Sequence, residues 1–304
     1  MNPYGGTEIQ LEYLHKYVDK DLLNKVQITT SVPEKTPIDP TKVNVLWVHN
    51  SYDQPNLYPW FKNKLNHRKY DWYVFNSHWT YEKYRLMFDI PTDISLVIKN
   101  GFDDDLIVKS EFKPKEKLKL IYTSTPWRGL DVLLKAMEQI KTDKVEVDIY
   151  SSTQIYGDAF KKVNDDQFIK LYDKAKSLKY VNYKGYINHK ELMKVLHTYD
   201  CYVHPSTFEE TFCLAAMESL AAGLVAMTTD LGALYETCAE FPIYVPYLKD
   251  KEALAKQFAG AIDMLPDLIS NVDENRIKFQ MQYYRQYYHW NVIKTYWERF
   301  LNGI

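Results

Sequence analysis

Two glutamates eight positions apart, Glu210 and Glu218, stand in the most informative stretch of the chain, His204-Pro205-Ser206-Thr207-Phe208-Glu209-Glu210-Thr211-Phe212-Cys213-Leu214-Ala215-Ala216-Met217-Glu218. The pattern predicts a strand over 201–204, a turn, and a helix over 212–222. Glu210 then lies at the helix mouth and Glu218 about two turns inside, on one face with Leu214, Met217 and Ala221. An acid in an apolar stripe is costly unless it is paired or serves a ligand. A buried ion pair is the plain reading; a carboxylate accepting hydrogen bonds from ligand hydroxyls is the functional one. The helix start also offers the backbone N–H groups of Phe212, Cys213 and Leu214 to an anion such as a diphosphate. Small residues at Ala215, Ala216, Ala221, Ala222 and Gly223 let this helix close on a sheet. One carboxylate at the mouth and one inside fit two ends of a single ligand better than an acid–base pair.

Other residues could join them. Thr123-Ser124-Thr125-Pro126-Trp127-Arg128-Gly129 connects a strand to a helix. Arg128, at that helix start, suits a diphosphate because a guanidinium grips two oxygens at once; a solvated loop arginine is the bland alternative. His49 ends a strand at the carboxyl edge where α/β sheets place ligands, although a lone histidine is as often a satisfied structural group. The pair Gly5-Gly6, before a helical pattern from Ile9, can approach a phosphate or sugar closely, with plain turn chemistry as the alternative. Ser151-Ser152 is a further candidate lining loop. Asp103-Asp104-Asp105 has the spacing of a divalent-metal clamp but sits beside a linker, so no metal site is assigned. Cys201, Cys213 and Cys238 are odd in number with no C-x-x-C spacing, which argues against a disulfide framework or zinc site and for a reducing compartment.

The elements that must position these residues alternate from end to end. Strand patterns at 26–32, 43–49, 72–76 and 94–98 precede a lysine-rich linker at 106–118 containing Pro114. A second series follows: strand 118–123, helix 130–140 with Leu130, Leu133, Leu134 and Met137 on one face, strand 145–150, helix 166–178 and strand 181–183. Helix 189–197, strand 201–204, helix 212–222 and strand 224–228 complete it. This is an α/β chain with two doubly wound, parallel-sheet domains facing a cleft. The domains are 1–110 and 111–285, with a last helical segment at 286–304. The first is small, and no strand pattern precedes Gly5, so its sheet is either unusually small or lacks a first strand. Net charge is −2 over 304 residues, which gives no bias toward nucleic acid. No run approaches the ~18 apolar residues of a membrane span, and the start lacks the basic and apolar regions of a signal peptide. A soluble, cytoplasmic protein is expected. The basic, aromatic segment 60–69 could make weak peripheral contact with an anionic membrane, a solvated loop being the plainer reading. The 26 tyrosines suit sugar stacking but mostly packing, and Ile293, Tyr296, Trp297, Phe300 and Leu301 form a helical stripe of the packing kind.

The Glu-x7-Glu arrangement of Glu210 and Glu218 resembles the signature of family 4 of the GT-B glycosyltransferases, and the likeness continues through Leu220-Ala221-Ala222-Gly223-Leu224-Val225-Ala226. The resemblance implies two Rossmann-like domains and a retaining, metal-independent transfer from a nucleoside-diphosphate sugar, with no cofactor. By it, Glu210 meets hydroxyls of the transferred sugar, Glu218 the ribose hydroxyls, and His49 the donor sugar. Gly5 and Gly6 match its glycine-rich loop facing the donor, and Lys184-Gly185-Tyr186-Ile187 its base-binding turn, with the backbone near Ile187 on the nucleobase edge. Leu231-Gly232-Ala233-Leu234-Tyr235-Glu236 resembles its Gly-x-x-x-Glu turn, and Asn100-Gly101-Phe102-Asp103 a structural element. Arg128 matches the second of two basic residues at the diphosphate turn; the first falls near Thr123-Ser124 and is neutral. The family often has glycines where this chain has Thr211 and Cys213. In that family the last helix crosses back to the first domain, here from about Trp290. The acceptor, a sugar, glycan or lipid-linked molecule, would enter from the first domain. Two alternatives stand beside this reading: a catalytically silent nucleotide-sugar-binding protein, and a phosphorylase or epimerase on the same fold, for which no pyridoxal lysine signature is evident.

Overall fold

The structure, a computed structural model, describes residues 4–103, 105–109, 111–112 and 115–304. Asp104 of the aspartate triplet and Pro114 of the expected linker lie outside the described residues. The first half contains α1 (Gly6–Tyr17), α2 (Lys20–Leu23), β1 (Val26–Thr30), β2 (Val43–Val48), α3 (Tyr58–Lys62), β3 (Trp72–Phe75), α4 (His78–Phe88) and β4 (Ser95–Val97). Its four strands run parallel in the order β1-β2-β3-β4. Five of the six residues of β2 are buried, as a strand covered on both faces demands. One face packs Val45, Trp47 and Val74 against Ile9 and Leu14 of α1. The other packs Leu46, Tyr73 and Phe75 against Phe61, Tyr84 and Phe88.

The second half opens with β5 (Leu118–Thr123), α5 (Leu130–Gln139), β6 (Val145–Tyr150), α6 (Asp158–Asn164), α7 (Ile169–Ser177), β7 (Val181–Tyr183) and α8 (His189–Leu196). It continues with β8 (Cys201–His204), α9 (Leu214–Ala221), β9 (Val225–Thr229), α10 (Leu234–Cys238) and β10 (Ile243–Val245). Then come α11 (Lys251–Ser270), α12 (Glu274–Tyr288) and α13 (Trp290–Asn302). The sheet order is β10-β9-β8-β5-β6-β7, all parallel. Strand order therefore reverses between β5 and β8, and the crevice above that point is where doubly wound sheets bind ligands. The loops that leave β5 and β8 carry Arg128 and Glu210.

Strands β5, β6, β7 and β8 have the bounds their hydrophobic patterns predict. Helix α9 does not: it starts at Leu214, two residues later than the pattern suggests. Trp290, Ile293, Trp297 and Leu301 of α13 are buried in the core of the first sheet, where Trp47 and Trp297 meet edge to face at 4.9 Å. In segment 60–69, Lys64, Arg68 and Lys69 pair with Asp89, Asp93 and Glu34. Among the described residues no helix is long and apolar enough to cross a membrane.

Candidate active site in the cleft between the sheets

A cleft of about 440 Å³ lies between the carboxyl edges of the two sheets. Gly5, Gly6, His49, Arg128, Ile187, Glu210, Phe212, Cys213, Leu214 and Glu218 all line it, and of the candidate loop Ser151-Ser152 only Ser152 does. Three features of the geometry within the cleft bear on its chemistry.

First, the two carboxylates are already paired. Arg128 Nη1 donates to Glu210 Oε2, and His204 Nε2 lies 3.3 Å from Glu210 Oε1. Burial pushes the Glu210 carboxyl up, but the Arg128 guanidinium and His204 more than offset this and hold it below the usual range. The Arg128 guanidinium also lies 4.5 Å from the Phe208 ring centroid, a cation–π contact. Glu218 Oε1 sits 2.7 Å from His189 Nε2, at the start of α8. Burial opposes the charge on His189, yet Glu218 raises its pKa above the ordinary value. Both buried acids thus have side-chain partners, Glu210 in an ion pair with Arg128 and Glu218 against His189, and the sequence pattern does not single out His189 or His204.

Second, the helix end expected to meet an anion is displaced. Because α9 begins at Leu214, its first-turn amides are those of Leu214, Ala215 and Ala216, not Phe212 to Leu214, and Glu218 lies about one turn inside rather than two. Among the described residues no side-chain hydrogen bond caps this end. Cys213, the N-cap, adopts φ 73°, ψ 80°, the left-handed region that an L side chain enters at a cost of about 1–2 kcal/mol. Cys213→Gly is therefore expected to be at least as stable as Cys213→Ala, reversing the usual order in which glycine is the worse residue. Denaturant unfolding of the two variants checks it.

Third, Thr211 and Glu236 join the sheets. Thr211 Oγ1 donates to the His49 carbonyl at 2.8 Å, while Ser77 Oγ and Thr80 Oγ1 donate to the Thr211 carbonyl at 2.7 and 3.1 Å. Glu236 accepts the His78 and Trp79 amides at the start of α4, at 3.0 and 2.9 Å, and lies 3.2 Å from Lys99 Nζ. Gly232 bridges to Glu210 at φ +70°, and a Cβ there would meet the Glu210 backbone. The Gly-x-x-x-Glu turn thus holds Glu210 in place and docks the second sheet to the first.

His49 contributes a neutral imidazole. Burial lowers its pKa from 6.5 to about 3, and its buried Nε2 has no hydrogen-bond partner among the described residues. Gly6 faces the Leu214 side chain, whose Cδ1 would stand 3.0 Å from a Cβ at position 6. Bulk at position 6 would therefore meet the start of α9. Ile187 follows Gly185, which turns with φ +72°. The ligand atoms of His204, Glu210 and Cys213 lie within 4.8 Å of one another. Yet the Arg128 guanidinium sits on Glu210, and burial pushes the Cys213 thiol up to about 12, so these groups form an ion pair beside a protonated thiol rather than a ready ligand set for a cation.

Two parallel α/β sheets facing a cleft across a strand-order reversal form the GT-B architecture of glycosyltransferases. A profile described as glycosyl transferases group 1 matches residues 103–274 of the 304, more than half, and the chain belongs to that family of enzymes. Among solved structures, Anabaena Alr3699/HepE in complex with UDP and glucose superposes with a TM-score of 0.65 at 15% identity, over 86% of this chain and 72% of its own. A glycosyltransferase from Rickettsia africae superposes at 0.65 and 15% identity over 100% and 83%. Sucrose-phosphate synthase from Thermosynechococcus elongatus does so at 0.67 and 16% over 92% and 73%. These likenesses carry the fold. No curated protein sequence matches the chain.

Proposed function

We propose that the protein transfers a sugar, with retention of anomeric configuration, from a nucleoside-diphosphate sugar to a sugar, glycan or lipid-linked acceptor, without a metal ion or cofactor. The observation that carries this reading is the convergence of Glu210, Glu218, Arg128, His49 and the uncapped start of α9 on one cleft. UDP and glucose bound to the Anabaena relative support the same donor class. In the donor complex the ribose hydroxyls lie at Glu218, the diphosphate at the Leu214–Ala216 amides and Arg128, and the base at the Ile187 backbone. The transferred sugar lies between Glu210 and His49, whose unpartnered Nε2 meets a sugar hydroxyl.

The reaction builds negative charge on the leaving phosphate, and fixed donors aimed at that charge stabilise it. Arg128 and the first turn of α9 are those donors, which is the work a metal would otherwise do. Glu210 is buried, ion-paired and bridged to Gly232, a poor position for the covalent nucleophile of a two-carboxylate retaining mechanism. Attack on the face the phosphate leaves, with a phosphate oxygen taking the acceptor proton, fits better.

Thermal melts with uridine-, guanosine- and adenosine-diphosphate sugars test the reading. One class is expected to raise the Tm, equally with and without EDTA; no stabilisation by any of them would overturn it. Glu218→Ala is expected to weaken nucleoside-diphosphate binding about ten-fold or more, the scale of losing hydrogen bonds to a charged acceptor. Calorimetric titration measures this, and an unchanged affinity would make Glu218 purely structural.

A further inference from the structure

A second cavity, of about 300 Å³, opens beside the donor cleft. The two share His49, Asn50, Arg128, Tyr156 and Thr211, so they meet at the Arg128–Glu210 pair. One wall is aromatic. Trp127 and Tyr156 stack with centroids 5.8 Å apart and planes 17° from parallel. Phe160 adjoins Tyr156 at 5.2 Å and is 39% exposed, and Phe208 lies under the Arg128 guanidinium. The other wall belongs to the segment after β2 and presents Asn50, Ser51 and Gln54. Aromatic rings come from the second sheet and hydrogen-bonding groups from the first.

That combination selects among occupants. A sugar ring has C–H faces that lie on aromatic rings and equatorial hydroxyls that reach amides and hydroxyls on the facing wall. An alkyl chain would leave Asn50 and Gln54 facing hydrocarbon, which is unfavourable for polar groups. The donor's base, placed at Ile187, is accounted for in the first cavity.

We propose that the second cavity is the acceptor subsite and that the acceptor is a carbohydrate, its terminal sugar stacked on Trp127 and Tyr156. This rests on the donor placement of the preceding section. In the transfer, an acceptor hydroxyl oxygen bonds to the anomeric carbon while the bond from that carbon to the β-phosphate oxygen breaks. The electron pair stays with the phosphate, which also receives the hydroxyl proton. The acceptor hydroxyl reaches the reacting carbon at the junction of the two cavities.

The test is saturation-transfer NMR on the full chain with glucose, galactose, mannose, N-acetylglucosamine, lactose and maltose, and with n-octanol as a sugar-free alkyl probe. At least one saccharide is expected to bind, Trp127→Ala to weaken it roughly ten-fold or more, and Trp127→Phe to retain most of the affinity. Tyr156→Ala provides a second probe if Trp127→Ala folds poorly, since Trp127 also touches Phe168. Nucleoside-diphosphate affinity is expected to be unchanged in Trp127→Ala. Binding of n-octanol alone, no saccharide binding, or saccharide affinity indifferent to Trp127 and Tyr156 would overturn the proposal. Failure of the donor reading shows separately, as a wild-type protein that binds no nucleoside diphosphate.

Discussion

Arg128→Ala is expected to lower kcat/KM by about 100- to 1000-fold, the loss seen when one preorganised donor to a developing oxyanion is removed. The same substitution strips the counter-charge from a fully buried Glu210, and breaking a buried pair from one side costs about 3–5 kcal/mol. The two effects separate by pH. In the wild type the Glu210 carboxyl is held below its ordinary pKa, so its contribution to stability is present above the unfolded carboxyl pKa and is lost as pH falls through the folded one. Without Arg128, burial dominates and the folded pKa rises above the unfolded value, so the variant gains relative stability as the carboxyl protonates. The difference in Tm between wild type and variant should therefore shrink on acidification, while the activity defect persists at neutral pH. Arg128→Lys keeps the charge without the two-pronged grip and should fall between. A wild-type kcat/KM in Arg128→Ala would remove Arg128 from the chemistry.

Gly129→Ala carries an expected effect on stability of comparable size. Gly129 caps α5 with φ +99°, and a Cβ there would fall inside van der Waals contact of the Pro205 carbonyl oxygen. The loop after β5 and the loop after β8 touch at this point, so the clash pushes Arg128 away from Glu210. A loss of more than about 3 kcal/mol is expected, combining left-handed strain with backbone displacement. Gly185→Ala is the internal control. It has φ +72° but open space around its Cβ, so it should lose only about 1–2 kcal/mol from strain. Equal losses at the two positions would mean that the contact between the loops is unimportant.

Much of this arrangement was legible in the residues. β8 is buried along its whole length and β5 along most of it, as central strands of a parallel sheet are, while β6 alternates and the edge strand β7 is short, yet each is bounded by polar or turn residues. The site residues lie at strand ends and helix starts, which local pattern locates well. What stayed hidden was pairing across the sequence. His189 reads only as the first residue of a helix, and nothing local says that it meets Glu218, 29 positions on. Thr211 departs from a glycine position for a reason found in another part of the chain, the His49 carbonyl. The apolar stripe extends to Phe212 and so puts the start of α9 too early, whereas Cys213 in the left-handed region ends the helix before reaching it. Trp127 and Tyr156, 29 positions apart, become a platform only once the turn before α6 and the loop after β5 pack together.

In the proposed donor complex the ribose of the nucleotide sugar sits on Glu218. Calorimetric titration of the best-stabilising nucleoside diphosphate and its 2′,3′-dideoxy counterpart, into wild type and Glu218→Ala, tests that placement most directly. The ribonucleotide is expected to bind the wild type about ten-fold or more tightly than the dideoxy form, and Glu218→Ala to bind both alike at the weaker level. Equal affinity of the two ligands for the wild type, or a preference that survives in Glu218→Ala, would contradict the placement of the donor.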